Sequence, residues 1–281
     1  METDKPYARD ANADQLKKYA DDLVKVYKSE KRKRKELEAA NLQLIKYGYD
    51  LRRTASDLKA ANLELHKAYL ETICRLVMAA EYRDEDTGDH IVRIGRYSAL
   101  IAEKLGMSDL KAQDMLYAAP MHDIGKIGIP DHILLKPGEL TDKEFDIVKN
   151  HTTIGANILS NSNAKIIMLA EHIALSHHEK WNGSGYPDGL SGRDIPRAGR
   201  IVAIADVFDA LASKRPYKEA FSVEATLGIM KKERGQHFDP DMLDIFLANI
   251  NEILKIRANI KKDDFSLLNY LWSKSDYSLP V

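Results

Sequence analysis

The sequence lacks the disulfides, the long apolar runs and the signal peptide that are typical of small secreted proteins and membrane proteins. Its 281 residues include one cysteine, Cys74, which excludes an intrachain disulfide and fits a reducing compartment. It has no run of about 18 or more apolar residues, and its amino terminus lacks the apolar core of a signal peptide. We therefore expect a cytoplasmic protein without membrane insertion, which can still be part of a longer multidomain or membrane-bound parent.

An excess of charge of one sign is also missing. The formal net charge is −1 although 30% of the residues are charged, so no overall field favours nucleic acid. The one basic block, residues 31–35, is flanked by acidic residues and is typical of a solvated helix face. We expect no nucleic-acid partner. Hydrophobic residues make up 44% of the chain, which is enough for a full core and an appended element.

Proline is absent from residues 7–119, and the first part of this stretch carries a heptad pattern. Leucines recur at multiples of seven, with Glu30 as the break: Leu16, Leu23, Leu37, Leu44, Leu51, Leu58 and Leu65. With leucine at position d, Asn41 and Asn62 fall at position a, which favours a parallel two-stranded coiled coil. We predict a long N-terminal helix forming a coiled-coil homodimer over residues 1–70. The alternative, a single helix lying on a globular domain, would need a wider apolar stripe.

Residues 71–281 are predicted to form a helical domain with a C-terminal tail. Thr141 and Glu144 have the spacing of a capping box, which predicts the start of a helix that also contains His151. Asp239-Pro240 predicts the start of another helix, reaching about residue 256. Strand alternation is nowhere convincing, so we predict an all-α fold.

Histidines and aspartates suited to metal binding lie at the ends of these helices or within them. The pair His122-Asp123 precedes Lys126 and its flanking glycines, and Asp206 lies in a segment so apolar that its carboxylate must be paired or metal-bound. The other candidates are Asp86, His90, His151, His177 and His178. A lone histidine on such a helix is more often a satisfied core residue, but several together are harder to explain in that way.

Imidazole and carboxylate ligands without thiolate suit iron, manganese, zinc or nickel better than calcium. More than four ligands with a shared aspartate indicate at least two metals, roughly 3.5–4 Å apart. Such a pair can bind phosphate oxygens and lower the pKa of a bridging water, which then attacks phosphorus in line. Lys126 would neutralise phosphate charge or assist the leaving oxygen.

Several motifs, taken together and in order, resemble those of one known family. The chain from about 81 to 256 is similar to the HD-GYP domain, a subgroup of the HD phosphohydrolase superfamily. The resemblance rests on residues 83–90 (RDEDTGDH), 122–126 (HDIGK), 177–187 (HHEKWNGSGYP), 204–211 (IADVFDAL) and 215–218 (RPYK).

The resemblance implies an all-α fold and a phosphodiesterase that hydrolyses cyclic di-GMP to linear pGpG and, in some members, on to GMP. Some relatives act on cyclic GMP-AMP. It also implies two or three divalent metals, iron or manganese first and zinc or nickel as alternatives. The matching metal positions are His90, His122, Asp123 as the bridge, His151, His177, His178 and Asp206. Lys126 matches a lysine near the scissile phosphate. Tyr186, with Gly185 and Pro187 beside it, and Arg215 and Lys218 match substrate contacts.

One position departs from the family pattern. Members with three metals carry glutamate where this chain has Asp86, so a third metal and the final product stay open. Asp86 could equally cap the following helix. Because family members commonly follow receiver or other sensory domains, we expect such a domain or partner upstream. Two alternatives are a nucleotide-binding signalling module with little turnover and a phosphohydrolase of mononucleotides.

Overall fold

The computed structural model describes residues 7–81, 83, 89–213 and 220–260, with side chains from residue 12 onward. Three predicted site residues, Asp86, Arg215 and Lys218, lie outside these ranges. The chain divides into two compact units, Met1–His66 and Lys67–Val281. The predicted domain boundary near residue 70 stays a prediction.

The described part of the first unit belongs to a long helix, α1, which spans Tyr7–Glu81 and ends within the second unit. Side-chain ion pairs four residues apart support it, among them Arg32–Glu36 at 2.8 Å. Such exposed pairs add only about 0.3–0.5 kcal/mol each, so they do not explain the helix by themselves. The heptad leucines are all exposed, from 63% to 74%. The long helix is confirmed, and the coiled-coil dimer that would cover these leucines stays a prediction.

The second unit is helical throughout the part of it that the structure describes. Its α-helices are α2 (Asp89–Lys104), α3 (Asp109–Ala118), α4 (Asp131–Leu134), α5 (Asp142–Lys149), α6 (His151–Leu159), α7 (Lys165–Ser176), α8 (Arg197–Ala212), α9 (Val223–Lys232), α10 (Pro240–Ala248) and α11 (Ile250–Asn259). Short 3-10 helices occupy Ala119–Met121, Ile124–Gly128 and Gly192–Asp194. Two isolated bridges are the only β-type pairing in the described ranges. The all-α prediction is confirmed.

Helix α8 lies at the centre of the core and packs against α2 and α7. Ile201, Ile204 and Phe208 are fully buried, and the Phe208 ring contacts Tyr97 at 5.7 Å and Phe246 at 5.1 Å between centroids. Each such side chain contributes about 1.5–3 kcal/mol through burial. The apolar character of α8 therefore makes it the fixed element against which the other helices are placed.

A glycine sets the distance between α7 and α8. A Cβ added at Gly199 would lie 2.2 Å from the Oγ of Ser176, so a larger residue would force the helices apart. Because Ser176 is the last residue of α7 and Gly199 lies in the first turn of α8, this close approach brings the end of α7 to the start of α8. His177 and His178, two of the predicted metal ligands, follow Ser176 directly.

Helix boundaries agree with the predictions in part. The capping box is confirmed, since the Glu144 carboxylate accepts from the Thr141 backbone N–H at 2.8 Å and Thr141 caps Glu144 in return. However, α5 ends at Lys149, so placing His151 in that helix was wrong: His151 begins α6. The predicted helix from Pro240 is also divided, because Asn249 leaves helical geometry and donates its side-chain amide to the carbonyl of Ile245 at 2.8 Å.

In the portion of the chain that the structure covers, no helix has both the length and the apolar character that a membrane span requires.

Candidate metal centre

Seven of the predicted ligands converge at one place in the second unit. His90 lies in the first turn of α2, and Asp206 lies within α8. His122 and Asp123 lie between the two 3-10 helices that follow α3. His151, His177 and His178 come from the start of α6 and the end of α7. The side chains thus reach one site from separate elements.

The first group of ligands contains Asp123, His151, His177 and His178. One ligand atom from each lies within 4.8 Å of the others. The Oδ1 atom of Asp123 is 3.3 Å from Nε2 of His151 and 3.4 Å from Nε2 of His177. The His178 ring lies beside that of His177, with centroids 4.1 Å apart.

The second group contains His90, His122 and Asp206, again with ligand atoms within 4.8 Å of one another. Oδ1 of Asp206 is 3.8 Å from Nε2 of His90 and 3.9 Å from Nε2 of His122. Asp123 lies between the two groups, because its second oxygen, Oδ2, is 3.3 Å from Nε2 of His122. One carboxylate therefore faces both groups, one oxygen to each.

Hydrogen bonds to backbone carbonyls fix the orientation of three of the imidazole rings. Nδ1 of His122 donates to the Ala119 carbonyl at 3.0 Å, and Nδ1 of His151 donates to the Val148 carbonyl at 2.7 Å. Nδ1 of His177 is likewise held by the carbonyls at the end of α7. Because a carbonyl oxygen only accepts, Nδ1 carries the hydrogen and Nε2 of a neutral ring presents a lone pair to the centre.

These inward atoms fit a divalent metal. Nε2 of His122 and Oδ1 of Asp123 are buried without a hydrogen-bond partner. Unpaired buried atoms of this kind are rare, because each costs about 1–3 kcal/mol. The separations of 3.3–3.9 Å between ligand atoms exceed normal hydrogen bonds but suit atoms arranged around a shared ion. The nitrogen and oxygen donors suit iron, manganese, zinc or nickel.

Burial and neighbouring charges shift the pKa values in this site. Burial alone would raise the pKa of Asp123, but Lys126 and His122 outweigh it and hold that pKa well below its usual value. Burial, together with His177, lowers the pKa of His178 well below 6.5. Asp123 is therefore a charged carboxylate and His178 a neutral imidazole near pH 7, which are the states in which these groups bind metals.

Lys126 and its glycines complete this side of the site. Nζ of Lys126 lies 2.9 Å from Oδ2 of Asp123. The preceding Gly125 lets the backbone pass close to α6: an added Cβ would lie 1.9 Å from the His151 carbonyl oxygen. Arg83 holds the following segment by donating to the carbonyls of residues 127 and 129 and by pairing with Asp131.

The Gly-Tyr-Pro loop places Tyr186 beside the first ligand group. The Tyr186 backbone N–H donates to the His178 carbonyl at 3.2 Å, and the two rings are 4.8 Å apart. Gly185 permits this approach, because an added Cβ would lie 2.3 Å from the backbone nitrogen of Lys180. Pro187 follows Tyr186 through a cis peptide bond. The substrate roles of these three residues stay predictions.

A buried carboxylate for which the sequence motifs predict no role shapes this loop. Glu179 is buried and accepts hydrogen bonds from the backbone N–H groups of Asp188 at 2.8 Å and Gly189 at 3.1 Å. The signal was available, because an acidic residue directly after two histidines at the end of an apolar helix needs a partner of its own.

Two further acidic residues were missed. Asp209 lies one helical turn after Asp206 and accepts from Nδ1 of His90 at 2.8 Å, which makes it the counterpart of the carbonyls that hold the other rings. Its position on the same apolar helix was the available signal. Glu81, the last residue of α1, is buried, and burial raises its pKa. The charges of Lys126 and Asp123 also affect its pKa, so Glu81 lies near these two residues.

Known proteins resemble the second part of this chain. The family model described as HD domain matches residues 83–242. A cyclic di-GMP phosphodiesterase of Thermotoga maritima is 50% identical over 191 residues, which cover 68% of this chain and 52% of the relative. The cyclic di-GMP phosphodiesterase response regulator RpfG of Xanthomonas campestris pv. campestris is 47% identical over 193 residues, covering 69% of this chain and 51% of the relative.

A solved structure agrees in fold. The crystal structure of a cyclic GMP-AMP-specific phosphodiesterase of V. cholerae is similar with a TM-score of 0.52 and 22% identity, covering 71% of this chain and 53% of that one. At this identity the likeness shows the fold alone. The chain spans about half the length of the curated relatives that it matches.

Proposed function

The chain belongs to the HD domain family, and on this premise we propose that it is a metal-dependent phosphodiesterase that hydrolyses cyclic di-GMP to linear pGpG. The observation that carries the proposal is the position of Asp123 between the two ligand groups, with Oδ1 facing His151 and His177 and Oδ2 facing His122. The names of relatives 50% and 47% identical support the substrate.

The protein's own residues hold and orient the reacting phosphate. His90, His122 and Asp206 form one proposed metal position and Asp123 with three histidines forms the other; iron or manganese is proposed, with zinc or nickel as alternatives. Divalent metals, when bound there, supply Lewis-acid activation of a phosphodiester and of water. Lys126, held 2.9 Å from Asp123, offers an ammonium group to a phosphate oxygen as negative charge develops.

The substrate contacts follow from the same proposal. Tyr186 would contact a guanine base beside the metal site, with Gly185 and Pro187 shaping its loop. Arg215 and Lys218 would contact the guanine edge or the phosphates. Asp86 is proposed as a ligand of a third metal, and occupancy of that third position would favour hydrolysis of pGpG to GMP.

The first unit is proposed as a parallel coiled-coil homodimer. The exposed leucines, together with Asn41 and Asn62 at seam positions, support two strands in register. Because one curated relative is named a response regulator, we also propose a sensory or receiver domain, in the same protein or as a partner, whose state the helix transmits. Sedimentation of the purified chain tests the dimer, and polar replacement of Leu44 and Leu51 should yield monomers.

Turnover tests the activity. Protein purified without oxygen and loaded with Fe²⁺ or Mn²⁺ is incubated with cyclic di-GMP, and the products are separated by chromatography. We expect pGpG as the first product and no turnover after chelation. The Asp123→Asn variant should retain the fold but lose metal and activity. Binding of cyclic di-GMP without hydrolysis by loaded wild type would favour a signalling module instead.

Competition between substrates refines the assignment. The same assay with cyclic GMP-AMP and with a mononucleotide compares kcat/KM values. We expect cyclic di-GMP to be preferred. A higher value for cyclic GMP-AMP would transfer the proposal to that substrate, and a higher value for the mononucleotide would contradict it.

A further inference from the structure

We propose that Phe145 and Lys149 of α5 form, with Tyr186, a subsite that binds a guanine base of the substrate. The proposal rests on the proposed function and names a part of its binding site outside the Gly-Tyr-Pro loop. It begins from the three side chains' positions. The Phe145 and Tyr186 rings meet edge to face with centroids 6.3 Å apart, and Nζ of Lys149 lies over both, 5.0 Å from the Phe145 centroid and 5.9 Å from the Tyr186 centroid.

This group lies directly beside the metal centre. The Tyr186 ring is 4.8 Å from that of His178 and 6.4 Å from that of His151. Phe145 contacts Tyr186 as well, so the rings form a row from the proposed metal ligands to α5. We consider a cyclic dinucleotide whose phosphate is bound at the metal centre that contains Asp123. Its bases lie close to that phosphate, and the row of rings lies close to the same centre, so a base can contact the row.

The exposure of Phe145 favours a ligand role over a core role. Helix α5 has no buried residue, so Phe145 does not anchor it to the core, and 44% of Phe145 is exposed. An aromatic side chain with open surface beside a nucleotide site offers a stacking partner for a base. A cation over the same rings strengthens such a surface, since an electron-rich purine can also interact with it.

Lys149 adds a preference for guanine. Its ammonium group is held by Asp146 at 2.8 Å, so it stays near the rings instead of extending away. Guanine presents two adjacent acceptors, O6 and N7, to a lysine, whereas adenine presents N7 beside an amino donor. The cation therefore favours guanine over adenine in the same stacked position.

The experiment compares variants on α5 in the metal-loaded protein. Phe145→Ala and Phe145→Leu should each raise KM for cyclic di-GMP about tenfold with kcat within about threefold, whereas Phe145→Tyr should match wild type because it keeps the ring. Ile147→Ala, at another exposed apolar position on the same helix, is the matched control and should change neither constant. Hydrolysis of bis(4-nitrophenyl) phosphate, which has no purine, should stay within about threefold in all of them.

Lys149 is tested by base preference. Lys149→Gln should reduce the ratio of kcat/KM for cyclic di-GMP to that for cyclic di-AMP about tenfold, and Lys143→Gln on the same helix should leave the ratio unchanged. A fluorescent analogue with 2-aminopurine in place of one guanine reports stacking directly. Its quenching on binding to wild type should be weaker in Phe145→Leu and normal in Phe145→Tyr.

The outcomes separate this proposal from the proposed function. Wild type that hydrolyses cyclic di-GMP while Phe145→Ala behaves identically overturns the subsite alone. Equal losses on cyclic di-GMP and on bis(4-nitrophenyl) phosphate would mean that the substitution disturbs the metal centre and not the binding of a base, which also overturns it. Loaded wild type that neither binds nor hydrolyses cyclic di-GMP overturns the proposed function and the subsite with it.

Discussion

Nδ1 of His90 lies 2.8 Å from Oδ2 of Asp209, a contact that joins α2 to α8 across the buried side of the metal centre. Arg93 binds the same carboxylate with two hydrogen bonds of 2.6 and 2.8 Å. Asp209 is thus held by Arg93 of α2 while it orients His90 of the same helix. Hydrogen-bonded carboxylates behind metal-binding histidines commonly set both the tautomer and the affinity.

Asp209→Asn is expected to weaken metal binding about 10–100-fold, because asparagine cannot support His90 as a charged acceptor. Removing one partner of a buried ion pair also costs about 3–5 kcal/mol, so Arg93 left without its partner should destabilise the fold. Metal affinity is measured by chelator competition at low temperature, with circular dichroism to verify folding. Asp244→Asn, which breaks the exposed pair with Arg234, is the control. Unchanged metal affinity in folded Asp209→Asn would contradict the role given to Asp209.

Lys126→Met is expected to lower kcat/KM for cyclic di-GMP about 10²–10³-fold, because the cation 2.9 Å from Asp123 is lost from the proposed phosphate-binding position. Metal content, measured by elemental analysis, should stay within about twofold of wild type, since Lys126 is not a proposed ligand. Lys143→Met on the surface of α5 serves as the control. A variant that keeps full activity would exclude Lys126 from the reaction.

Glu179→Ala is expected to loosen the Gly-Tyr-Pro loop, because the backbone N–H groups of Asp188 and Gly189 lose their acceptor. Leaving such donors unpaired costs about 1–3 kcal/mol. We expect KM for cyclic di-GMP to rise more than kcat falls, and Glu179→Gln, which keeps one acceptor oxygen, to recover part of the loss. Steady-state kinetics and urea unfolding measure the two effects, with exposed Glu139→Ala as the control. A normal KM in Glu179→Ala would show that the loop does not depend on this carboxylate.

The lowered pKa of the Glu144 carboxylate leads us to expect that the free energy of unfolding depends on pH. Hydrogen bonds from Lys136 and Thr141 lower its pKa from 4.5 to about 2. A carboxylate with a depressed folded-state pKa stabilises the fold above its unfolded pKa, and that contribution is lost as the pH falls from about 4.5 to about 2. Urea midpoints of wild type and Glu144→Gln should therefore differ at pH 6 and converge at low pH. A constant difference over this range would contradict the assignment.

Local signals in the sequence were sufficient for the helical fold and for much of the candidate site. The absence of proline over residues 7–119 predicted α1, and the capping box at Thr141 predicted the start of α5, because both depend on neighbours along the chain. The candidate ligands could also be recognised from their neighbours along the chain, because a carboxylate such as Asp206 within an apolar helix needs a partner. That these residues bind metal stays a prediction, although the structure brings seven of them together.

Long-range packing decided what the sequence alone could not. No periodicity relates Asp209 to His90 or Phe145 to Tyr186, because each pair joins segments that meet only after the chain has packed. The break between α5 and α6 at Asn150, after which Nε2 of His151 lies 3.3 Å from Oδ1 of Asp123, was not predicted from the sequence either. Residue chemistry and spacing along the chain determined the helices and the kinds of ligand. Packing across the core determined which carboxylates orient the histidines and which aromatic rings stand beside them, because those distances depend on segments far apart in sequence.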